Sequence, residues 1–354
     1  MTTDQENTAP LPYYSANDGI WETDATWLRP DVWDPPHTGA IEWNIARTSH
    51  NITSGNRDIF LLGLISEVNT LDMEGQNPNS WTTGGTGNQL YLSHYLLLDG
   101  IIDLNGESQL VQPEGSIVDS GSEGELHRDQ QGTASSYNYN YWSSPVSPGV
   151  NNAAYSVGAV MKDGTSQTPQ DITFGAAYAH ADGGFTTPRR VSEYWLHKFH
   201  GTANNYYSWE WIGSGGALSV GEGYSMKGTS GTAAISDPQN YTFRGLPNNG
   251  DIDLAILPDG TPQAVNYLIG NPYSSAISIE KFIVDNVVPE TDASFLGTIY
   301  FWDHFGGKSH YLKEYIVRYA TANLSGIVCS SQANDSRIHH YVSLMQQPLH
   351  VTFN

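Results

Sequence analysis

The chain has 354 residues, among them 36 Gly, 21 Tyr and 10 Trp, and only 15% of its side chains are charged. Acidic residues outnumber basic ones 37 to 15, a formal charge of −22, which argues against nucleic acid and anionic membrane surfaces as partners, because both need clustered Lys and Arg. The length suits two or three domains, and no run approaches the roughly 18 apolar residues of a membrane span, so no membrane insertion is expected.

Gly, Ser, Thr, Asn and aromatic residues favour strands and turns, and no long stretch carries a helical apolar period, so the fold class expected is all-β. The single cysteine, Cys329, rules out an internal disulfide and reads as a small buried residue. The N-terminal MTTDQENTAP has no apolar core and does not read as a signal peptide.

Residues 1–55 are rich in Trp, Pro and Asp. Pro30, Pro35 and Pro36 interrupt regular structure, and Trp21, Trp27, Trp33 and Trp43 are expected to pin the segment onto a neighbour. Residues 56–130 alternate short apolar runs with turn signals at Asp99-Gly100, Asn105-Gly106 and Pro113-Glu114-Gly115. Two readings compete. Asp-Gly and Asn-Gly can close hairpins, whereas closely spaced turns between short strands can form the coils of a parallel β-helix, a β-solenoid. Continuous runs such as Leu96-Leu97-Leu98 favour the solenoid, whose strands would be buried on both faces.

From residue 133 the chain becomes aromatic. In SSYNYNYWSSPV the strand period puts Tyr137, Tyr139 and Tyr141 on one face, with Asn138, Asn140 and Trp142 on the other. In NNYYSWEWIG it puts Tyr207, Trp209 and Trp211 together. An internal repeat follows. NYWSSPV (140–146) resembles NYLIGNPY (266–273), EYWLHKF (193–199) resembles IYFWDHF (299–305), and LSVGEGYSMKG (218–228) matches VSLMQQPLHVTFN (342–354) poorly. We therefore expect two related β-sandwich, jelly-roll-like units over 133–247 and 262–354, joined by a turn-rich linker at 248–261.

Several constellations of side chains bear on chemistry. The aromatic residues Tyr139, Tyr141, Trp142, Trp209 and Trp211 are the candidate ligand platform, with glycans as the partner. Enclosing such a ring removes roughly 150–250 Å² from water, on the order of 4–6 kcal/mol of transfer free energy, so packing is the preferred role for them. Asp251, Asp253 and Asp259 are the candidate metal ligands for a structural calcium, although the register of a calcium loop is absent and turn chemistry is the simpler reading. Asp99, Asp103, Glu107, Glu114 and Asp119 could line a cation ladder and are read as turn acids. His304, His310, His339 and His340 lack zinc spacing. GGKS lacks the leading glycine of a phosphate loop, since Trp302 stands there, and no G-x-S-x-G is present. A polysaccharide lyase on the β-helix would need a basic residue or a metal, and a glycoside hydrolase a carboxylate pair; between 56 and 128 the only Lys or Arg are Arg57 and Arg128, and no catalytic residue is assigned.

The phrases ITSGNRDIFLLGLIS, YLLLDGIIDLNGESQLVQ, RDQQGTASSYNYNYWSSPVS, VGEGYSMKG and NYLIGNPYSSAISIEKFIVDN resemble those of large secreted, adhesin-like surface proteins of the Bacteroidota that commonly carry a C-terminal signal for type IX secretion. The resemblance spans roughly residues 40–325. It implies export, cell-surface display and a place within a longer protein, and it carries no catalytic residue and no cofactor. A segment like YIPVGQGFFV is expected near the end, where this chain has YVSLMQQPLHVTF without the glycines. The expectation is a non-catalytic structural or adhesin-like module, with a carbohydrate-binding module as the alternative.

Overall fold

The computed structural model describes residues 12–28, 44–79, 84–176, 188–202, 205–230, 233–234, 237–255, 265–286, 295–306, 309–311, 314–328 and 349–353. Trp33, Trp43, Asp259, Cys329, His339, His340 and the three N-terminal prolines lie outside them. Strand accounts for 47% of the structure against 9% helix, arranged in several sheets, so the chain is an all-β protein.

The first eleven strands are β1 (Pro12–Tyr14), β2 (Gly19–Ile20), β3 (Ile45–Thr48), β4 (Ile52–Thr53), β5 (Ile59–Ser66), β6 (Thr70–Met73), β7 (Gln89–Leu98), β8 (Ile101–Leu104), β9 (Gln109–Val111), β10 (Ile117–Val118) and β11 (Glu125–Thr133). They fall into two parallel ladders. One runs β1-β3-β5-β7, with β9 and β10 both pairing β7. The other runs β2-β4-β6-β8-β11. From β1 to β9 the chain thus steps from one ladder to the other at each turn; β10 stays with β9 on the first ladder before β11 returns to the second. Asp99-Gly100 sends β7 and β8 into different ladders instead of closing a hairpin, so the hairpin reading fails here. Residues 12–20 and 45–53 supply the first strands of both ladders, where a segment packing onto the solenoid was expected. Its Trp21 and Trp27 are buried, with ring centroids 4.8 Å apart, and the indole N–H of Trp27 donates to Trp21 O at 2.7 Å.

Leu64, Leu92, Leu96 and Leu98 from one ladder share a single core with Leu71, Met73, Ile102 and Leu104 from the other. Within the apolar runs burial alternates: Leu96 and Leu98 are enclosed while Leu97 is half-exposed, and Ile102 is enclosed while Ile101 is half-exposed. The continuous apolar runs are therefore buried on one face and partly covered on the other, not buried on both. In parallel register, like-parity residues stack into rows, and each outward row shields its own members. Gly106 sits at φ +62°, and a Cβ there would lie 2.6 Å from the Thr86 carbonyl oxygen. Gly106→Ala is expected to lose at least about 1 kcal/mol of stability, read by urea denaturation, because strain and clash act together.

The next ten strands are β12 (Tyr139–Trp142), β13 (Val146–Ser147), β14 (Met161–Asp163), β15 (Gln170–Asp171), β16 (Thr173–Gly175), β17 (Arg190–Ser192), β18 (His197–Gly201), β19 (Trp209–Trp211), β20 (Tyr224–Lys227) and β21 (Pro238–Pro247), with one short helix, α1 (Val157–Val160). β21 pairs antiparallel with β11 over eight residues and continues the second ladder through β14 to β15. The expected break near residue 130 therefore falls inside β11, which belongs to the ladder on one side and to β21 on the other.

The last elements are β22 (Val265–Ile269), α2 (Ile279–Asn286), β23 (Phe295–Gly306), β24 (Ile316–Asn323), β25 (Gly326–Val328) and β26 (Leu349–Phe353). One antiparallel sheet runs β12-β20-β18-β22-β26-β23-β24-β25, with β19 on β18. The three segments of the sequence repeat occupy equivalent places in it. In each copy the first strand pairs the last, and the last pairs the middle one: β12-β20-β18, then β22-β26-β23. Even the poorly matching VSLMQQPLHVTFN supplies its strand, β26. The two copies share the sheet through β18 and β22, so the hydrogen bonding continues across the expected linker. The helix α2 was not anticipated; it buries Ile283 against Tyr267, Ile269 and Ile299 on one face of this sheet.

Candidate functional site

Strand β12 is the hub of the aromatic region, and its pleat sends neighbouring rings to opposite sides. Trp142, 1% exposed, points to β21, with its ring 5.4 Å from Tyr241 and 6.1 Å from Phe243. Asn140 is buried beside it, and its Oδ1 accepts the Thr133 N–H at 2.7 Å. On the other side Tyr141 stacks on Trp302 at 5.2 Å and lies 5.8 Å from Trp209, which in turn meets Phe199 at 4.9 Å. Burial holds the Tyr141 phenol far above the usual tyrosine range.

Tyr139 faces a second cluster centred on Lys227. This lysine lies directly across from Tyr139 on β20 and is 1% exposed. Its ammonium donates to Tyr315 Oη at 2.6 Å and to His310 Nδ1 at 2.9 Å. It also lies 3.8 Å from the Trp195 ring centroid and 4.6 Å from that of Tyr139. His310 stacks on Trp195 at 4.9 Å and touches Tyr137 at 4.8 Å. The rings act as the counter-field for the charge, as a cation–π cage does. Burial pushes the Tyr315 phenol up to about 12, so it is a neutral partner at physiological pH. His304 is buried nearby, and its Nδ1 accepts the Tyr139 backbone N–H at 3.1 Å, which leaves that nitrogen unprotonated. The cage joins strands of the first repeat to the 310–315 segment of the second.

The remaining candidates separate from this hub. Trp209 is half-buried, whereas Trp211 is 60% exposed, its indole N–H donating to Glu193 O at 2.8 Å. Tyr207 does not share their strand: it lies in a 3-10 turn, Tyr206–Ser208, and is 93% exposed. Tyr206 and Tyr207 stand at 82° to one another, so these exposed rings do not form a coplanar row. The contrast gives a direct expectation. Trp142→Ala should lose about 3–5 kcal/mol in urea denaturation, and Trp211→Ala less than about 1 kcal/mol, because only the first opens a core cavity.

Asp251 and Asp253 are exposed and lie along a separate cleft of about 1060 Å³. Its walls are the turn after β9, the stretch 248–255, the loop after β22, and α2. No group of three His, Cys, Asp or Glu able to hold a metal occurs among the described residues, which include Asp251 and Asp253 but not Asp259. The turn acids are engaged by backbone and side-chain donors. Asp119 accepts from Tyr95 Oη and Gly121 N, Glu107 from Gly85 N, and Asp99 from Glu123 N. Asp103 differs, being largely enclosed in a row with Asp72 and His127 across β6, β8 and β11.

Residues 79–342 match the family described as "Domain of unknown function (DUF8693)". The chain belongs to this family. The matched span begins before β7 and takes in β12, the Lys227 cage and the cleft, so the site features lie within the part common to the family. No curated protein and no solved structure matches the chain.

Lys227 and the cleft were not singled out in the sequence. The only local sign of the cage is a lysine closing the otherwise apolar strand GYSMKG. His310 and Tyr315, the partners that give it meaning, lie more than 80 positions away.

Proposed function

We propose that the chain is a non-catalytic structural, adhesin-like module of a longer exported surface protein. In this reading the two parallel ladders are the faces of a β-solenoid that supplies length. The antiparallel sheet with its repeat forms two fused sandwich-like units that cap and extend it. The observation that carries the reading is the use of the aromatic residues: Tyr141 and Trp142 are enclosed in inter-element seams, and Tyr139 walls a buried lysine. Side chains committed to holding modules together suit a scaffold. The resemblance to secreted Bacteroidota surface proteins and the acidic charge support display outside the cell.

The test is protease shaving and antibody labelling of intact host cells. Surface accessibility is the expected result, and confinement of the native protein to the cytosol would overturn the reading. A carbohydrate-binding module is the second reading, favoured by the exposed Tyr194, Tyr206, Tyr207, Trp211 and Tyr311. It expects glycan-array binding that disappears in Trp211→Ala while the fold is retained.

A further inference from the structure

The cleft beside Asp251 and Asp253 has the marks of a preformed binding site. Cross-links fix its walls to one another. Asn248 Nδ2 donates to Pro272 O at 3.0 Å, and Tyr273 Oη to Gly250 O at 2.8 Å. Asn249 Nδ2 donates to Ser116 O at 2.7 Å, and the Ala276 N–H to Gln109 Oε1 at 2.8 Å. The last two tie the sheet side of the cleft to the parallel ladder. Its volume of about 1060 Å³ lies at the top of the range for ligand pockets, and it opens where two layers of the fold meet, a usual place for such sites.

Three features define what it would take. Its charged lining is four acids, Glu114, Asp251, Asp253 and Asp285, against one base, Lys281. Leu254, Ile269 and Phe282 line it as well, adding apolar surface that suits the aliphatic stem of a long cationic side chain. The third is backbone. Strand β9, whose Leu110 and Val111 line the cleft, pairs only with β7 among the described residues, so its other edge is free of ladder partners.

We propose that this cleft binds an extended peptide segment carrying lysine or arginine, laid along the free edge of β9 as an added strand. Main-chain hydrogen bonds to the edge would hold the segment, and its basic side chains would meet the acidic wall. A second copy of this chain is a poor occupant, because both partners would carry a charge of −22. The proposal assigns a ligand site and stands whether or not the chain is surface-displayed.

The test is fluorescence anisotropy with the full chain and a labelled ten-residue peptide of alternating lysine and valine. Saturable 1:1 binding is expected, weakened about tenfold in the Asp251→Asn/Asp253→Asn double variant. Methylation of alternate backbone nitrogens of the peptide should weaken binding to a similar extent, because it removes strand pairing but keeps the charge. The control pair Glu123→Gln/Glu210→Gln lies outside the cleft and should leave the affinity within about twofold. Absence of saturable binding overturns the proposal. So does an equal loss in the control pair, which would mean attraction by net charge alone. Spermine binding as tightly as the peptide would overturn strand addition.

Discussion

Lys227→Ala is expected to destabilise the protein by about 3–5 kcal/mol, measured by urea unfolding followed through circular dichroism and tryptophan fluorescence. The substitution removes a cation that donates to Tyr315 and His310 and sits over Trp195. It also leaves a cavity where the aliphatic stem was packed. Lys227→Met keeps the stem and loses the charge, so its expected loss is smaller, about 1–3 kcal/mol. The interval between the two variants separates packing from the cation's own contribution. The damage should concentrate at the seam between the repeats, because the cage joins β20 to the 310–315 segment. Tryptophan fluorescence, through Trp195 and Trp302, should then report loosening before the parallel ladders unfold. A Lys227→Ala protein with an unchanged urea midpoint would show that the cage does not hold the sheet together.

The second large effect is a gain. Asp103→Asn should stabilise the protein by about 2–4 kcal/mol at pH 8 and leave it nearly unchanged at pH 4. Burial, with Asp129 and Asp72 close by, pushes the Asp103 carboxyl up to about 7. Asp72 is raised as well, again mainly by burial, while burial lowers His127. The folded chain therefore keeps the Asp103 proton to a higher pH than the unfolded chain does. Stability from this group is greatest below about pH 4, falls as pH rises towards 7, and is level above that. Asparagine has no proton to lose and removes the fall. Urea midpoints of both proteins from pH 4 to pH 8 check the sign. An equal loss in the variant at both ends would mean that the ionised carboxylate is held by favourable bonds in that row.

Much of the molecule's local character was readable residue by residue. The pleat period separated Tyr139 and Tyr141 from Trp142 correctly, because alternation along a strand is a property of the backbone alone. The repeat was readable too: NYW and NYL proved to begin equivalent strands, and the spacing of their partners carried the same first-last-middle order. Where local period was stretched too far it failed. Tyr207 shares the parity of Trp209 and Trp211, yet a 3-10 turn ends the strand before it. The doubled burial expected for Leu96-Leu97-Leu98 failed because strand neighbours in the ladder, not the run itself, decide how far the outward face is covered.

By itself, then, the sequence determined that this is a strand protein with aromatic seams, closely spaced turns and an internal repeat, since these depend on composition and on interactions within a few residues. Only the tertiary structure decided that the early strands pair in parallel, that one sheet runs through both repeats, that Lys227 lies among rings from distant segments, and that Asp251 and Asp253 border a cleft. Each of those depends on which segments meet across tens of residues. That choice is made by the packing of whole faces against one another, and no short window of residues records it.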